Sequence, residues 1–398
     1  MSELTSMTSM TSMTSMTSMT SMTGRVGPSA LGGLSAMYGE PLVTEALISS
    51  RPGVVPEAAA GPETQFNGLL APFAAGSLPA VAIDDHSRLG WWQPAVRAHL
   101  CTLELHAMLR FEVVATDTEN PGLLLSRIES AAPQKRPIVK LTRPNRPVFD
   151  GQLDMVLNHA GDDQRRRRMA EILAQVLPQV PFWTALVPLS PWRTPHTYEF
   201  VGIVLNFAME VCHRFKHVLS VPRPNELSPL VQPLLQTPGW AAFPSGHATE
   251  AFTFARLIRG LLAPEDAIEN HMVANQSALD GSLLKQAAAI ADNRVYAGLH
   301  YPIDGVAGRL LGTTLAEYVL ALCVTGAEWT DRSFLGDKVK VEDQVSLDVF
   351  TALEGEANKV PYQAAGNKQT VTTSPILAEM WKRARRELAG LGFGNKPD

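Results

Sequence analysis

Between Tyr198 and Val324 the chain carries four stretches of helix length in which apolar residues recur at the helical period, and this succession constrains the fold more than any other feature. In Tyr198–Leu219, the residues Val201, Val204, Leu205, Ala208, Met209, Cys212 and Phe215 fall on one side. His247–Leu262 places Phe254, Leu257, Ile258 and Leu261 in register, Leu283–Tyr296 is rich in alanine, and Asp304–Val324 is long and apolar. Upstream, Trp91–Phe111 reads as an amphipathic helix through Val96, Leu100, Leu103, Leu105, Met108 and Leu109, and Arg167–Leu177 as a shorter one. Prolines at 121, 133, 137, 144 and 147 make Pro121–Phe149 an extended connection. Strict two-residue alternation is scarce, so the expected fold class is all-α, a helical bundle.

Residues Thr5–Met22 are six repeats of Thr-Ser-Met, a polar tract that cannot bury enough apolar area to offset its ordering entropy. The expected organisation is therefore a disordered low-complexity segment over 1–62, a helical region packing on the core over 63–195, a core over 196–326, and an extension over 327–398. That extension closes with a helix from Pro375 to Ala389, stopped by Gly390. Short extended pieces are expected near Lys338–Val341 and Thr370–Thr373.

A net charge of -5 argues against a nucleic-acid partner, which needs clustered Lys and Arg, and the short run Arg165–Arg168 reads as a solvated helix start. Cys101, Cys212 and Cys323 are far apart among apolar residues, so neither a disulfide framework nor a cysteine metal site is expected. Two uncharged stretches, Thr64–Ile83 and Ile172–Trp192, approach the roughly 20 residues a membrane span needs, but internal prolines break both. A shallow surface insertion through Phe182, Trp183 and Trp192 is the alternative to packed aromatics. The N-terminus lacks a basic segment followed by an apolar run, so cytoplasmic residence is expected.

The chemistry lies at the ends of these helices. Pro244-Ser245-Gly246-His247 opens a strongly periodic helix, so Ser245 falls at the cap, and the Gly246 amide at the helix end offers an anion cradle. Lys216 ends the Tyr198 helix, and Arg223 is braced between Pro222 and Pro224, giving one point charge and one planar fork among apolar neighbours. Asn293-Arg294 brings a third cation. His300 and Asp304 lie one turn apart, a distance at which a carboxylate accepts the Nδ1 proton and leaves Nε2 as nucleophile or metal ligand. His213 and His217, four apart on a helix, lack a third metal ligand and read as surface or supporting histidines.

The order and spacing of these clusters resemble the signature shared by type 2 phosphatidic acid phosphatases, bacterial class A acid phosphatases and vanadium-dependent haloperoxidases. The matching residues are Lys216 and Arg223-Pro224, then Pro244-Ser245-Gly246-His247, then Arg294, His300 and Asp304. The resemblance covers under a quarter of the chain, and Asn293 stands where the family usually has Ser. It implies a helical bundle of the acid phosphatase and haloperoxidase type, in which Lys216, Arg223 and Arg294 neutralise an oxyanion and Ser245 and Gly246 hydrogen-bond to it. In a phosphatase, His300 would attack phosphorus, Asp304 would orient it and His247 would protonate the leaving alcohol, with no cofactor. In a haloperoxidase, the pocket would hold vanadate with His300 as its ligand, and His247 would assist peroxide deprotonation.

Three observations tilt the expectation toward a soluble haloperoxidase-like enzyme that oxidises halide with hydrogen peroxide: neither candidate span survives its prolines, a long region precedes the signature, and Trp240 and Ala248 flank the Ser-Gly-His turn. Trp240 and Asn293 are possible pocket-lining residues. A soluble acid phosphatase acting on a phosphate ester through a phosphohistidine at His300 is the alternative, and a non-catalytic anion-binding protein is the third. Apolar helix faces make a homodimer plausible.

Overall fold

The computed structural model describes residues 45–46, 48–49, 86–115, 120–129, 135–176, 179–263, 278–343 and 362–393. Segment 1–62 lies outside them apart from four helical residues, and 64–83 lies outside them entirely. The chain forms two compact units, one covering residues 24–97 and a larger one that includes 98–398 and every candidate site residue. In the smaller unit Ser87–Trp91 makes a 3-10 turn, and the Arg97 guanidinium donates to the carbonyls of Leu89 and Trp92.

Eight helices of twelve residues or more stand among the described residues: α1 Pro94–His106, α2 Arg146–Ala160, α3 Asp163–Ala174, α4 Pro195–Leu219, α5 Gly246–Leu262, α6 Ala278–Tyr296, α7 Pro302–Cys323 and α8 Pro375–Gly390. The longest, α4, is largely buried and supplies many residues of the main core. Its first turn has Pro195 at the entry, and Glu387 of α8 accepts the His196 and Thr197 amides at 2.9 and 2.8 Å, completing donors that a helix start leaves open. Trp381 of α8 meets Phe200 of α4 edge-on at 6.0 Å, so the closing helix seals the far end of the helix that carries Lys216.

The expectation of an all-α fold requires correction. The structure is mostly helical but contains a five-stranded sheet in the order β1 Leu109–Ala115, β2 Pro121–Ile128, β3 Lys135–Thr142, β4 Glu328–Phe334 and β5 Gln363–Thr370. Neighbours are antiparallel except β3 and β4, which run parallel with Val139 opposite Arg332 and Leu141 opposite Phe334. Buried positions in β2 and β3 come in pairs rather than alternating, because Leu123, Leu125, Ile138, Val139 and Leu141 all enter the core. Pro137 is accommodated beside a bulge where the β2–β3 register shifts at Leu125/Ser126, a place that tolerates a missing amide. The stretch read as one helix over Trp91–Phe111 thus ends at His106 and continues as a strand. No strand forms at Lys338–Val341; the extended residues of the C-terminal part lie at Glu328–Phe334 and Gln363–Thr370.

The Arg165–Arg168 run is only half solvated. Arg166 and Arg167 are exposed, whereas Arg165 is buried against the carbonyls of Val231 and Gln232, and Arg168 pairs with Asp292 at 2.7 Å and lies over the Tyr296 ring. Trp183 is buried and stacks on Phe254 at 4.2 Å, so of the aromatics considered for surface insertion only Trp192 is fully exposed. Helix α7 is long and apolar enough to cross a membrane by length and composition, but 94% of its most apolar window is buried inside the fold, as a core helix requires. All three cysteines are buried.

Helices α5 and α7 touch backbone to backbone. A Cβ placed on Gly308 would lie 2.6 Å from the Ser245 carbonyl oxygen, and one on Gly312 would lie 2.3 Å from that of Thr249. This contact brings the Ser245-Gly246 turn at the start of α5 against the first turns of α7, where His300 and Asp304 are anchored.

Candidate oxyanion site

Ser245 caps α5 through its side-chain oxygen, which accepts the Ala248 amide at 3.4 Å, while its own amide donates to the Asp304 carbonyl at 2.8 Å. The cradle turn and α7 are therefore hydrogen-bonded as well as packed. Gly246 follows, with the Met209 Cε and Lys216 Cε atoms of α4 lying 3.2 and 3.9 Å from where its Cβ would stand. A side chain at this position would be crowded by the Met209 side chain of α4.

Each cation is fixed by carbonyls. Lys216, 2% exposed, donates to Ala241 O at 2.9 Å and Ala242 O at 2.8 Å. Arg223 gives Nε to Trp240 O at 3.0 Å and Nη1 to Leu299 O at 2.9 Å. Arg294, fully buried, gives Nη2 to Ile172 O and to Gln175 Oε1, while its Nε and Nη1 have no partner among the described residues. Unpaired buried guanidinium donors are costly unless a ligand takes them.

His300 Nδ1 lies 2.9 Å from Asp304 Oδ2, and its Nε2 lies 3.0 Å from Arg223 Nη1. A guanidinium only donates, so Nε2 carries the lone pair and the single proton resides on Nδ1, facing the carboxylate. Asp304 Oδ2 also accepts the Tyr301 amide at 3.0 Å, which fixes the carboxylate. His247 Nε2 lies 3.3 Å from the Gln175 carbonyl, a weaker contact that a ligand can displace.

Burial, and then the neighbouring cations, push both imidazoles well below the ordinary histidine range: Arg294 acts most on His247 and Arg223 on His300. Burial likewise lowers Lys216 and raises Asp304, with their mutual attraction opposing each shift. Glu250, one turn after His247, is pushed up to about 8 by burial and is mostly neutral at pH 7. Among the buried groups, three cations thus face one carboxylate. The uncompensated positive charge matches a tetrahedral dianion such as phosphate or vanadate in sign and donor type.

All the sequence-derived candidates except the two lining residues converge here. Trp240 contributes its carbonyl to Arg223 and its ring to His213, with centroids 5.4 Å apart. Asn293 sits behind Arg294, donating to Gln175 Oε1 at 3.1 Å and accepting from Arg168 at 3.2 Å. Where a shorter Ser is usual, this longer side chain reaches the Gln175 amide instead. Sequence spacing does not single out Gln175, although it joins Arg294, Asn293 and His247; its one signal is a polar residue in the otherwise apolar stretch Ile172–Leu177. His213 and His217 make no metal cluster with any third ligand among the described residues.

The PAP2 superfamily model matches residues 198–326, which span Lys216, Arg223, the Ser245-Gly246-His247 turn, Arg294, His300 and Asp304. A vanadium-dependent bromoperoxidase of Ascophyllum nodosum is 27% identical over 154 residues, a match that covers 33% of this chain and 28% of that protein's length. Residues 198–326 are thus a PAP2 superfamily region, and the chain is distantly similar to a vanadium-dependent bromoperoxidase.

Proposed function

We propose that this chain is a vanadium-dependent haloperoxidase-like enzyme, which holds vanadate in the oxyanion pocket and oxidises halide with hydrogen peroxide. The observation that carries the oxyanion part is Arg294, whose Nε and Nη1 are buried and unpartnered beside two further buried cations and a carboxylate-oriented imidazole. The relationship to a bromoperoxidase favours vanadate over phosphate as the resident ion. Lys216, Arg223 and Arg294 would hold its oxygens, with the Ser245 hydroxyl and Gly246 amide as further donors and His300 Nε2 as the protein ligand. When bound, vanadate supplies the Lewis-acidic centre at which peroxide becomes an oxidant for halide.

The protein's own part is to exclude water, fix charge and manage protons. Asp304 keeps the His300 proton on Nδ1, so Nε2 carries a lone pair, held by Arg223 Nη1 until a ligand replaces it. Binding of an anion offsets the Arg294, Arg223 and Lys216 charges that depress His247, raising its basicity toward the range in which it takes a proton from peroxide. The same His300 tautomer supports a second reading, a phosphomonoesterase in which Nε2 attacks phosphorus and His247 protonates the leaving alcohol.

Purified metal-free protein should be assayed for peroxide-dependent halogenation of a phenol and for p-nitrophenyl phosphate hydrolysis, each with and without vanadate. Halogenation that depends on vanadate is the expected result. Ester hydrolysis that vanadate inhibits, without halogenation, would overturn the haloperoxidase reading in favour of the phosphatase.

A further inference from the structure

His213 stands on α4 one turn after Met209 and one turn before Lys216. Those two side chains are the ones that approach the Gly246 turn, at 3.2 and 3.9 Å from its would-be Cβ, so the helix face bearing His213 is the face turned toward the cradle. On its other side the imidazole meets the Trp240 ring edge-on at 5.4 Å, and the carbonyl of the same Trp240 holds Arg223 Nε. His213 is therefore bracketed by Lys216 along its helix and by the Trp240 brace of Arg223.

Its hydrogen bonding identifies the state of each ring nitrogen. Nδ1 lies 2.7 Å from the Met209 carbonyl, which only accepts, so Nδ1 bears the proton. Burial and the positive charges of Lys216 and Arg223 keep the ring neutral, opposed by the Met209 bond. Nε2 is then a lone pair, and it is buried with no partner among the described residues. A buried lone pair without a donor is unfavourable, so a donor that reaches it is stabilised.

The other two imidazoles of the site have their Nε2 atoms engaged, by the Gln175 carbonyl at His247 and by Arg223 at His300. Lys216, Arg223, Arg294 and the cradle amides are donors, suited to the oxygens of the held ion. An O–H bond on a second, neutral reactant needs an acceptor instead.

We propose that His213 is a further substrate-binding residue of this site, its Nε2 accepting a hydrogen bond from the neutral O–H reactant that approaches the held oxyanion. That reactant is hydrogen peroxide in the haloperoxidase chemistry and water in the phosphatase chemistry. The inference rests on the oxyanion reading above and adds a residue that the spacing of the signature does not include.

The test compares wild type with His213→Phe, which keeps a ring against Trp240 but removes the acceptor, and with His213→Gln, which restores an acceptor oxygen. Orthovanadate affinity is measured by calorimetry, peroxide affinity of the vanadate-loaded protein by ultraviolet titration, and the water step by the steady-state rate after any p-nitrophenol burst. The expected result is a vanadate Kd within about threefold of wild type in His213→Phe. Its peroxide affinity or water step should fall at least tenfold, about 1.4 kcal/mol, with partial recovery in His213→Gln. The arm that responds identifies the reactant. Equal behaviour of His213→Phe and wild type in both arms overturns the proposal, as does a parallel loss of vanadate affinity, which would mark a packing role. Failure of wild type to bind orthovanadate removes the oxyanion reading itself, and this inference with it.

Discussion

Replacing Gly308 or Gly312 by alanine should destabilise the fold, although alanine is the better helix former. The added methyl would approach Ser245 O to 2.6 Å and Ala248 Cβ to 2.8 Å from position 308, and Thr249 O to 2.3 Å from position 312. The oxygens and amides that it meets are backbone atoms of α5, so no rotamer change removes the overlap. Restoring ordinary contact, which begins near 3.4 Å, requires the helices to part by about 0.8 Å for Gly308 and 1.1 Å for Gly312. Parting packed helices by that much forfeits dispersion along the whole interface. Overpacking costs about 1–3 kcal/mol, against a propensity gain of about 1 kcal/mol, so both variants should be on the order of 1 kcal/mol less stable, with Gly312→Ala the worse. Gly281 in α6 is the control, since a Cβ there meets nothing within 4 Å. Gly281→Ala should be neutral or stabilised by up to about 1 kcal/mol. Urea unfolding followed by circular dichroism gives all three values. Since only Gly308 abuts Ser245, Gly308→Ala should also weaken orthovanadate binding more than Gly312→Ala does. If both variants match Gly281→Ala in stability, the close approach of α5 and α7 is wrong.

Two further outcomes follow from the buried polar groups. Glu250 holds its proton in the folded state up to about pH 8, while in the unfolded chain it releases it near 4.5, so folding takes up a proton between these values and stability from this group falls as pH rises through that window. Glu250→Gln should therefore gain on wild type by on the order of 4 kcal/mol between pH 4 and 9, at about 1.4 kcal/mol per pH unit, and a pH-independent difference in unfolding free energy would contradict it. Gln175→Glu should pair its new charge with Arg294 and reduce the net positive charge of the pocket, lowering orthovanadate affinity at least tenfold with little change in stability.

The charged site was readable because its residues recur at helix ends with fixed spacing, and helix ends are where donors and dipoles face a ligand. Tyr198–Leu219 announced itself through apolar period, and the structure extends it only to Pro195. The sheet was not readable for a physical reason: β2 and β3 are buried on both faces, so Leu123, Leu125, Ile138 and Val139 do not alternate with polar residues. Pro137 then masked β3 as a connection, since a bulge at Ile138 in β3 itself makes room for it. Gln175 escaped because its contacts depend on a neighbouring helix end, and His213 reads from sequence only as a surface or supporting histidine because its contact with Trp240 is tertiary. Gly308 and Gly312 look from sequence like weak points in a helix, whereas they are what lets α7 reach the cradle.

The most direct test of the account is calorimetric titration of orthovanadate into wild-type protein and Arg294→Ala at low salt. Arg294 offers two unpartnered charged donors, each worth about 1.5–3 kcal/mol to an anion, so its loss should weaken binding by about a hundredfold or more. Stoichiometric binding to wild type with that loss in the variant is the predicted result. Equal affinity in the two proteins, or no binding to wild type, would contradict the claim that these residues form an oxyanion pocket.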